Sequence, residues 1–327
     1  MVPGDKSISH RAAILGSLAS GITKITNYLR AQDCLNTLNC LRQLGISIAD
    51  EPDGTITIIG RGRRGFSSPG TTLDVGNSGT AIRLLMGVLA GQPFATTLTG
   101  DASIQRRPMK RVAAPLIEMG AKISGRDAEY RAPVPVAGQN LKGIRYTLPV
   151  ASAPVKSAIL LAGLFAEGGP VVNEPIPTRD HTERRLTYMG NRLGISHGSI
   201  QLSPGPLLKG MPVDVPGDIS SAAFFIVGAL IVPNSKITIQ NVGLNPTRTG
   251  ILDVLKTMGG RITVSNERDV AGEPRGDITV ESSPLKAATI EGAMIPRLID
   301  ELPIIAVAAT QAQGDTIIQN AGELRVK

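Results

Sequence analysis

VPGDKSISHRAAILGSLASGITKITNYLRAQDCLNTLNCLRQLGISI, residues 2–48, decides the fold because the chain writes its plan again. Residues 213–262 read VDVPGDISSAAFFIVGALIVPNSKITIQNVGLNPTRTGILDVLKTMGGRI. Both pass through VPGD and a Ser into a helix of small apolar residues. Both continue with an alternating strand (ITKITN, KITIQN), a polar turn, a second helix, a Gly and another strand. Residues 73–123 follow the same order, with LDVGNSGTAIRLLMGVLAG, TTLTG and RRPMKRVAAPLIEMGAKI. So do residues 147–200, with TLPVASAPVKSAILLAGLFAEGG, VVNEP and TRDHTERRLTYMGNRLGIS. A fifth copy starts near residue 293, as AMIPRLIDELPIIAVAATQAQGDTIIQNAGELRVK, and ends before a second helix. The spacing, roughly 65–80 residues, is too long for the common solenoid repeats. Each copy is therefore a unit with two helices and several strands.

The first helix of each copy is apolar nearly all round, which predicts burial rather than an amphipathic surface position. The second carries charges on one face, as in RRPMKRVAAPLIEMG, and belongs nearer solvent. Strands and helices in this order indicate α/β units. Helices more buried than the sheets predict an inside-out arrangement, with helices packed centrally.

A length of 327 residues suits one large domain or two medium ones. With 42% hydrophobic and 19% charged residues, the composition is that of an ordinary globular protein. Aromatics are 3% and Trp is absent, so Leu, Ile, Val and Ala must build the core. The formal net charge of +7 calls for an anionic partner class. Nucleic-acid binding predicts basic runs interleaved with stacking aromatics. The densest runs, RGRRG at 61–65 and QRRPMKR at 105–111, contain none. Small anions held by scattered Lys and Arg fit better, and RGRRG reads as a solvated turn. Cys34 and Cys40 fall in one helix at no metal spacing and read as small buried residues. His10, His181 and His197 share no metal spacing either, so no metal is expected. His10 reads as a helix residue beside the site, His181 as a residue behind it and His197 as surface. The apolar runs are short and Gly-broken, so no signal peptide or membrane span is expected, and the cytoplasm is the expected compartment.

Each copy places a polar cluster at the start of its first helix: Gly4-Asp5-Lys6-Ser7, Gly76-Asn77-Ser78-Gly79-Thr80, Ala151-Ser152-Ala153-Pro154 and Gly217-Asp218-Ile219-Ser220. Capping explains one Ser, Asp or Asn per helix. It does not explain Lys6 and Arg11, or Asn77 and Arg83, beside the caps. A helix N-terminus offers free N–H groups and a positive dipole end, which favour phosphate or carboxylate. Several such ends make a site for a multiply anionic ligand. Asp218 and Ser220 read as a structural cap, and Asp101 as a cap after TTLTG.

VPGDKSISHRA, GNSGTAIR, GDASIQRRPMKR, VASAPVKSAILLAGL, TRDHTER, NPTRTG, LIDELP and ELRVK, in this order, resemble 5-enolpyruvylshikimate-3-phosphate synthases. The likeness covers essentially the whole chain. The variants ASA, TRDHTE and IDE are similar to the bacterial class II branch. The resemblance implies a two-domain inside-out α/β barrel of repeated βαβαββ units, with the first domain at 1–214 and an incomplete second domain at 215–327. On that plan the first few residues belong to the crossover between domains. It also implies attack of the 5-hydroxyl of shikimate 3-phosphate on the central carbon of phosphoenolpyruvate, then loss of phosphate. The site would lie between domains that close on the substrates and exclude water. No cofactor is implied, and the full-length protein is expected to be a monomer.

The resemblance also implies roles. Lys6 resembles the lysine that contacts phosphoenolpyruvate and bridges both substrates. Ser7 and Arg11 resemble the pair holding the shikimate carboxylate, and Arg suits a bidentate grip. Ser152 and Ala153 resemble the cradle of the shikimate phosphate, which Arg179 and Lys327 also resemble contacts of. Asn77, Gly79, Thr80 and Arg107 resemble the phosphoenolpyruvate side, and Asp33 a carboxylate of the same cleft. Asp300 resembles the carboxylate that orients and deprotonates the attacking hydroxyl. Bottom-up chemistry agrees: four anionic groups must be gathered electrostatically, and a hydroxyl attack needs a positioned base.

Two departures follow. Pro154 stands where the family usually has Gln, and it offers neither a side-chain donor nor a backbone N–H, so substrate grip should weaken. The chain also ends at ELRVK, where the family continues with E-[ST]-D-R, and it lacks the strand expected before VPGDKS. On this reading the chain is incomplete, its second domain is poorly stable, and alone it is inactive or weak, or one half of a split synthase. The sister enzyme that transfers enolpyruvate to UDP-N-acetylglucosamine is disfavoured. That enzyme uses a reactive loop Cys, and GDKSISHR fits the shikimate enzyme.

Overall fold

Three helices that are apolar on all sides need neighbours on all sides, and the larger part of the chain is arranged around that need. The computed structural model describes residues 1–203, 205 and 207–326. Its helices are α1 (Lys6–Leu18), α2 (Gln32–Gln43), α3 (Gly79–Leu89), α4 (Ala102–Arg106), α5 (Lys110–Glu118), α6 (Ala153–Gly163), α7 (His181–Tyr188), α8 (Ile219–Ile231), α9 (Gly250–Thr257), α10 (Ile295–Leu298) and α11 (Leu302–Thr310). The chain forms two compact units. The larger holds Lys6–Ile176 and Asp180–Val215; the smaller holds Met1–Asp5, Pro177–Arg179 and the chain from Pro216 onward.

The larger unit contains three four-stranded sheets with one strand order. In the second, Leu73–Asp74 lies parallel to Ala95–Thr99, which pairs antiparallel with Val134–Ala137, which pairs antiparallel with Lys122–Ile123. The third repeats this with Arg145–Thr147, Val171–Asn173, Ser199–Leu202 and Leu193–Ser196. The first repeats it too, with Ser20–Thr26, Ile56–Arg61 and Ser47–Asp50. Its leading place, however, is taken by Val213–Asp214, with Ile25 opposite Val213. A segment distant in sequence thus fills the leading place of the first sheet.

Inside the unit, α1 is buried at every residue from Ile8 to Leu18. α3 and α6 are buried over nearly all their length. Their approach depends on a glycine: a Cβ on Gly87 would sit 2.4 Å from the carbonyl oxygen of Ala158. The core is mostly Leu, Ile, Val, Ala and Met, joined by Tyr28 and Phe66, with Cys34 and Cys40 buried in α2.

The smaller unit has its own core, formed by α8, α9, α10 and α11 with a three-stranded antiparallel sheet. In that sheet Glu273–Glu281 lies between Lys236–Gly243 and Arg261–Val270. Two parallel pairs follow, Leu285–Lys286 with Ala312–Gln313 and Thr289–Ile290 with Ile317–Ile318. Here the first helices are not enclosed. Phe224 and Phe225 on α8 are 63% and 59% exposed, and Val307 on α11 is exposed as well.

The smaller unit also takes in Met1–Asp5, the residues expected at the crossover, and Pro177–Arg179. The N-terminal segment is held there by backbone bonds. The Asp5 N–H donates to Pro216 O at 2.9 Å, the Asp218 N–H to Pro3 O at 2.9 Å, and Gly4 bridges Gly217. RGRRG is also more than a solvated turn. Arg63 donates to Leu164 O at 2.7 Å and Gly205 O at 3.2 Å. Leu164 is the C-cap of α6, so the guanidinium fork satisfies a carbonyl left over at a helix end.

Candidate active site

In the larger unit, the starts of α1, α3 and α6 carry the residues singled out in the sequence. Lys6 opens α1 and is exposed; its Nζ lies 3.5 Å from Asp33 Oδ2 in the first turn of α2. Ser7 is half-buried. Arg11 lies one turn further on and is only 4% exposed. Its Nε donates to Thr182 Oγ1 at 2.7 Å, Nη2 to Ser157 Oγ at 2.9 Å and Nη1 to Ser7 O at 3.0 Å. The guanidinium therefore braces α1 against α6 and α7 and touches Ser7 through its backbone.

Between Lys6 and Arg11 lies His10, which sequence reasoning treated as a neighbour of the site. It is fully buried, with Nδ1 2.8 Å from Thr37 Oγ1 and Nε2 3.4 Å from Ser78 Oγ. Ser78 is the N-cap of α3, accepting from the Ala81 N–H. Burial first, then the charges of Arg11 and Lys6, pull the imidazole pKa down to about 3. A neutral ring thus ties α1 to α2 and to the cap of α3.

Two arginines meet at the α3 N-terminus. A Cβ on Gly79 would sit 2.8 Å from Arg83 Nη1 and 2.9 Å from Arg107 Nη1. Glycine here leaves room for two guanidinium groups beside free helix N–H groups. Arg83 donates to Gly79 O at 2.8 Å, and Arg107 to Ser103 Oγ at 3.3 Å. Thr80 is the next residue of the helix. Asn77 is exposed and donates to Asp101 Oδ2. Asp101 caps α4 as expected, accepting from the Ile104 N–H. The Asn77 amide, then that N–H, holds its carboxyl below the usual range. Arg83 stood out in the sequence beside the α3 cap but was matched to no ligand. The signal was its place one turn after Gly79, which aims a long side chain back at the helix start.

At α6, Ser152 is the N-cap and makes no side-chain cap bond; Ala153 is the first helical residue. Pro154 is the second, where a missing N–H breaks no helical bond. Beneath lies a charge cluster that sequence reasoning missed. Lys156 Nζ is 2.6 Å from Glu183 Oε1 and 2.9 Å from Glu174 Oε2, all fully buried. Burial raises the Glu183 pKa against the opposing pull of Lys156. The only signal was a lysine in an otherwise apolar helix. His181 is buried as the first residue of α7, and His197 is exposed.

In the smaller unit, Arg179 Nη2 donates to Asp300 Oδ2, a charge-assisted pair that remains partly exposed. A carboxylate held by a movable cation can serve as proton acceptor once that cation finds another anion. Asp218 caps α8 through the Ser220 N–H at 2.8 Å, in keeping with a structural role. Lys327 lies outside the described residues. Among the described residues, no helix is long and apolar enough to cross a membrane.

The comparisons agree with one another. The model of the EPSP synthase (3-phosphoshikimate 1-carboxyvinyltransferase) family matches residues 1–327. A 3-phosphoshikimate 1-carboxyvinyltransferase of Desulforudis audaxviator is 57% identical over all of this chain and 76% of its own length. The one from Bacillus subtilis is 52% identical over 326 residues, covering 76% of that protein. The solved EPSP synthase of Acinetobacter baumannii superposes with a TM-score of 0.90 at 48% identity, covering all of this chain and 74% of that one. The enolpyruvyl transferase NikO of Streptomyces tendae, at 16% identity and a TM-score of 0.77 over 97% of this chain and 73% of that one, shares the fold. The chain belongs to the EPSP synthase (3-phosphoshikimate 1-carboxyvinyltransferase) family.

Proposed function

We propose that the protein transfers the enolpyruvyl group of phosphoenolpyruvate to the 5-hydroxyl of shikimate 3-phosphate and releases phosphate. The observation that carries this reading is the convergence of Arg83 and Arg107 on Gly79 at the start of α3. Two guanidiniums and helix N–H groups suit a phosphate monoester. We assign phosphoenolpyruvate to Lys6, Asn77, Gly79, Thr80 and Arg107, and add Arg83. Shikimate 3-phosphate is assigned to Lys6, Ser7, Arg11, Ser152, Ala153, Arg179, Asp300 and Lys327. Arg11 acts largely by fixing Ser7, since its own donors are engaged by the protein.

Asp300 takes the proton of the 5-hydroxyl as its oxygen bonds to the central carbon of phosphoenolpyruvate. That proton passes on to the methylene carbon, and the adduct is tetrahedral. The new methyl group then gives up a proton to the departing phosphate, and the double bond is restored. Lys6 supplies positive charge beside the reacting centre. A shikimate phosphate that engages Arg179 would release Asp300 from its ion pair at the moment the base is needed.

Phosphate release that requires both substrates is the expected result, measured at high protein concentration. A folded preparation that neither releases phosphate nor binds shikimate 3-phosphate by calorimetry would overturn the reading. Gly79→Ala tests the assignment of the phosphate end. Its methyl group would meet the mobile ends of two arginines rather than backbone. The KM for phosphoenolpyruvate should rise about tenfold, the loss of roughly one good charge-assisted contact. The KM for shikimate 3-phosphate should hardly change.

A further inference from the structure

One guanidinium gathers four chain segments of the smaller unit. Arg248, in the turn leading into α9, is 3% exposed. Its Nη2 donates to Ser220 Oγ at 2.6 Å and lies 3.3 Å from Asp218 Oδ1, both at the start of α8. Glu301 Oε1, at the start of α11, is 3.6 Å from Nη2. Asp5 Oδ2, on the N-terminal segment, is 3.9 Å from Nη1. Ser220 also donates to Glu301 Oε1. Burial alone would make Arg248 easier to deprotonate, but the charges of Asp5, Asp218, Glu301 and Asp300 outweigh it and keep it a cation.

This cluster is loosely made. Its ion-pair distances, 3.3 to 3.9 Å, are long. Arg248 Nε and Glu301 Oε2 are buried without a hydrogen-bond partner. A buried ion pair of this quality is a poor source of stability, and apolar residues would serve at least as well. What it does fix is direction. The Glu301 carboxylate is drawn inward to Arg248 and Ser220. Asp300, the residue before it, is left partly exposed with its carboxylate on Arg179.

We propose that Arg248 and Glu301 are positioning residues for Asp300: the pair anchors the first turn of α11 and so sets where the Asp300 carboxylate lies. The proposal rests on Asp300 being the base assigned above. Arg248→Lys keeps the charge and loses the fork; Glu301→Gln keeps the shape and loses the charge. Ile278→Val, which trims a fully buried core residue of the same unit, serves as a variant that changes stability alone. Each is compared with wild type for kcat, both KM values, melting temperature and amide hydrogen exchange.

A misplaced base predicts a kcat loss of roughly 100-fold in Arg248→Lys and about tenfold in Glu301→Gln. Both KM values should stay within about threefold, the pattern of an interaction expressed in the transition state. Exchange should quicken over residues 298–305 and little elsewhere. A kcat loss no greater than that of Ile278→Val, at matched melting temperature, would make the cluster merely structural and overturn the proposal. If wild type itself shows no turnover dependent on both substrates, the functional reading fails separately, and exchange still decides. Quickening confined to 298–305 upholds the anchoring of α11, and quickening spread through the unit as in Ile278→Val overturns it.

Discussion

The two units use one repeat and enclose it differently. In the larger, three sheets of identical strand order surround α1, α3 and α6, and those helices are buried almost throughout. In the smaller, one three-stranded sheet and two short parallel pairs accompany α8 and α11, which leave Phe224, Phe225 and Val307 in solvent. The helices are alike in sequence, so burial is a property of how many sheets stand around them. The buried charges differ too. Lys156 holds its two carboxylates at 2.6 and 2.9 Å. Arg248 holds three carboxylates no closer than 3.3 Å. The tight cluster reads as a brace for the core, and the loose one as a mount that sets direction.

The largest effect should come from breaking the tight cluster. Lys156→Met removes the cation that the buried Glu174 and Glu183 share. Removing one partner of such a cluster costs about 3–5 kcal/mol, because the remaining charges stay desolvated. Urea denaturation followed by circular dichroism should show a much lower midpoint for the larger unit. Lys236→Met, in an exposed pair with Glu281, should leave the midpoint where it was. Equal losses in the two variants would mean that Lys156 is hydrated in solution, and the distinction between brace and mount would go.

His10 sharpens the same contrast through pH. Its pKa in the folded chain is about 3, against an ordinary 6.5. Below about 6.5 the unfolded chain takes up a proton that the folded chain refuses until near pH 3. Stability therefore falls as pH drops through that window and is fully present above it. Between about pH 7 and pH 5 the loss should be about 2 kcal/mol. His10→Asn keeps a hydrogen-bonding side chain beside Thr37 and Ser78 and cannot titrate. Its stability should fall with acid by about that much less than wild type. Parallel pH curves for the two proteins would show that the imidazole titrates freely, and that α1 is less enclosed than it looks.

What the sequence made legible was whatever repeats or breaks a pattern locally. The VPGD copies and the all-apolar first helices announced buried helices within α/β units. The caps at Asp101 and Asp218 followed from residue type and position. Gly79, Arg107, Arg179 and Asp300 were marked by motif. What stayed hidden depends on segments far apart in the chain meeting in space. Nothing near Ser20–Thr26 says that Val213–Asp214 will lie beside it, since strand pairing is not written in either strand alone. Arg248 went unremarked because its partners Asp5, Asp218 and Glu301 come from three other segments. Arg83 was visible beside a cap, yet only the fold brings Arg107 to the same glycine.

The smallest effect should come from the exposed face of α8. Phe225→Gln exchanges an apolar ring already largely in water for a polar chain of better helix propensity, so its transfer and propensity terms partly cancel. Surface changes of this kind stay within about 0.5 kcal/mol. The urea midpoint of the smaller unit should therefore barely move, while binding of a hydrophobic dye such as anilinonaphthalene sulfonate should fall, because an exposed apolar patch is lost. A midpoint drop of the size expected for a core residue would mean that Phe225 is covered in solution. The two units would then enclose their first helices equally, and the difference drawn between them would be one of sheet count and not of burial.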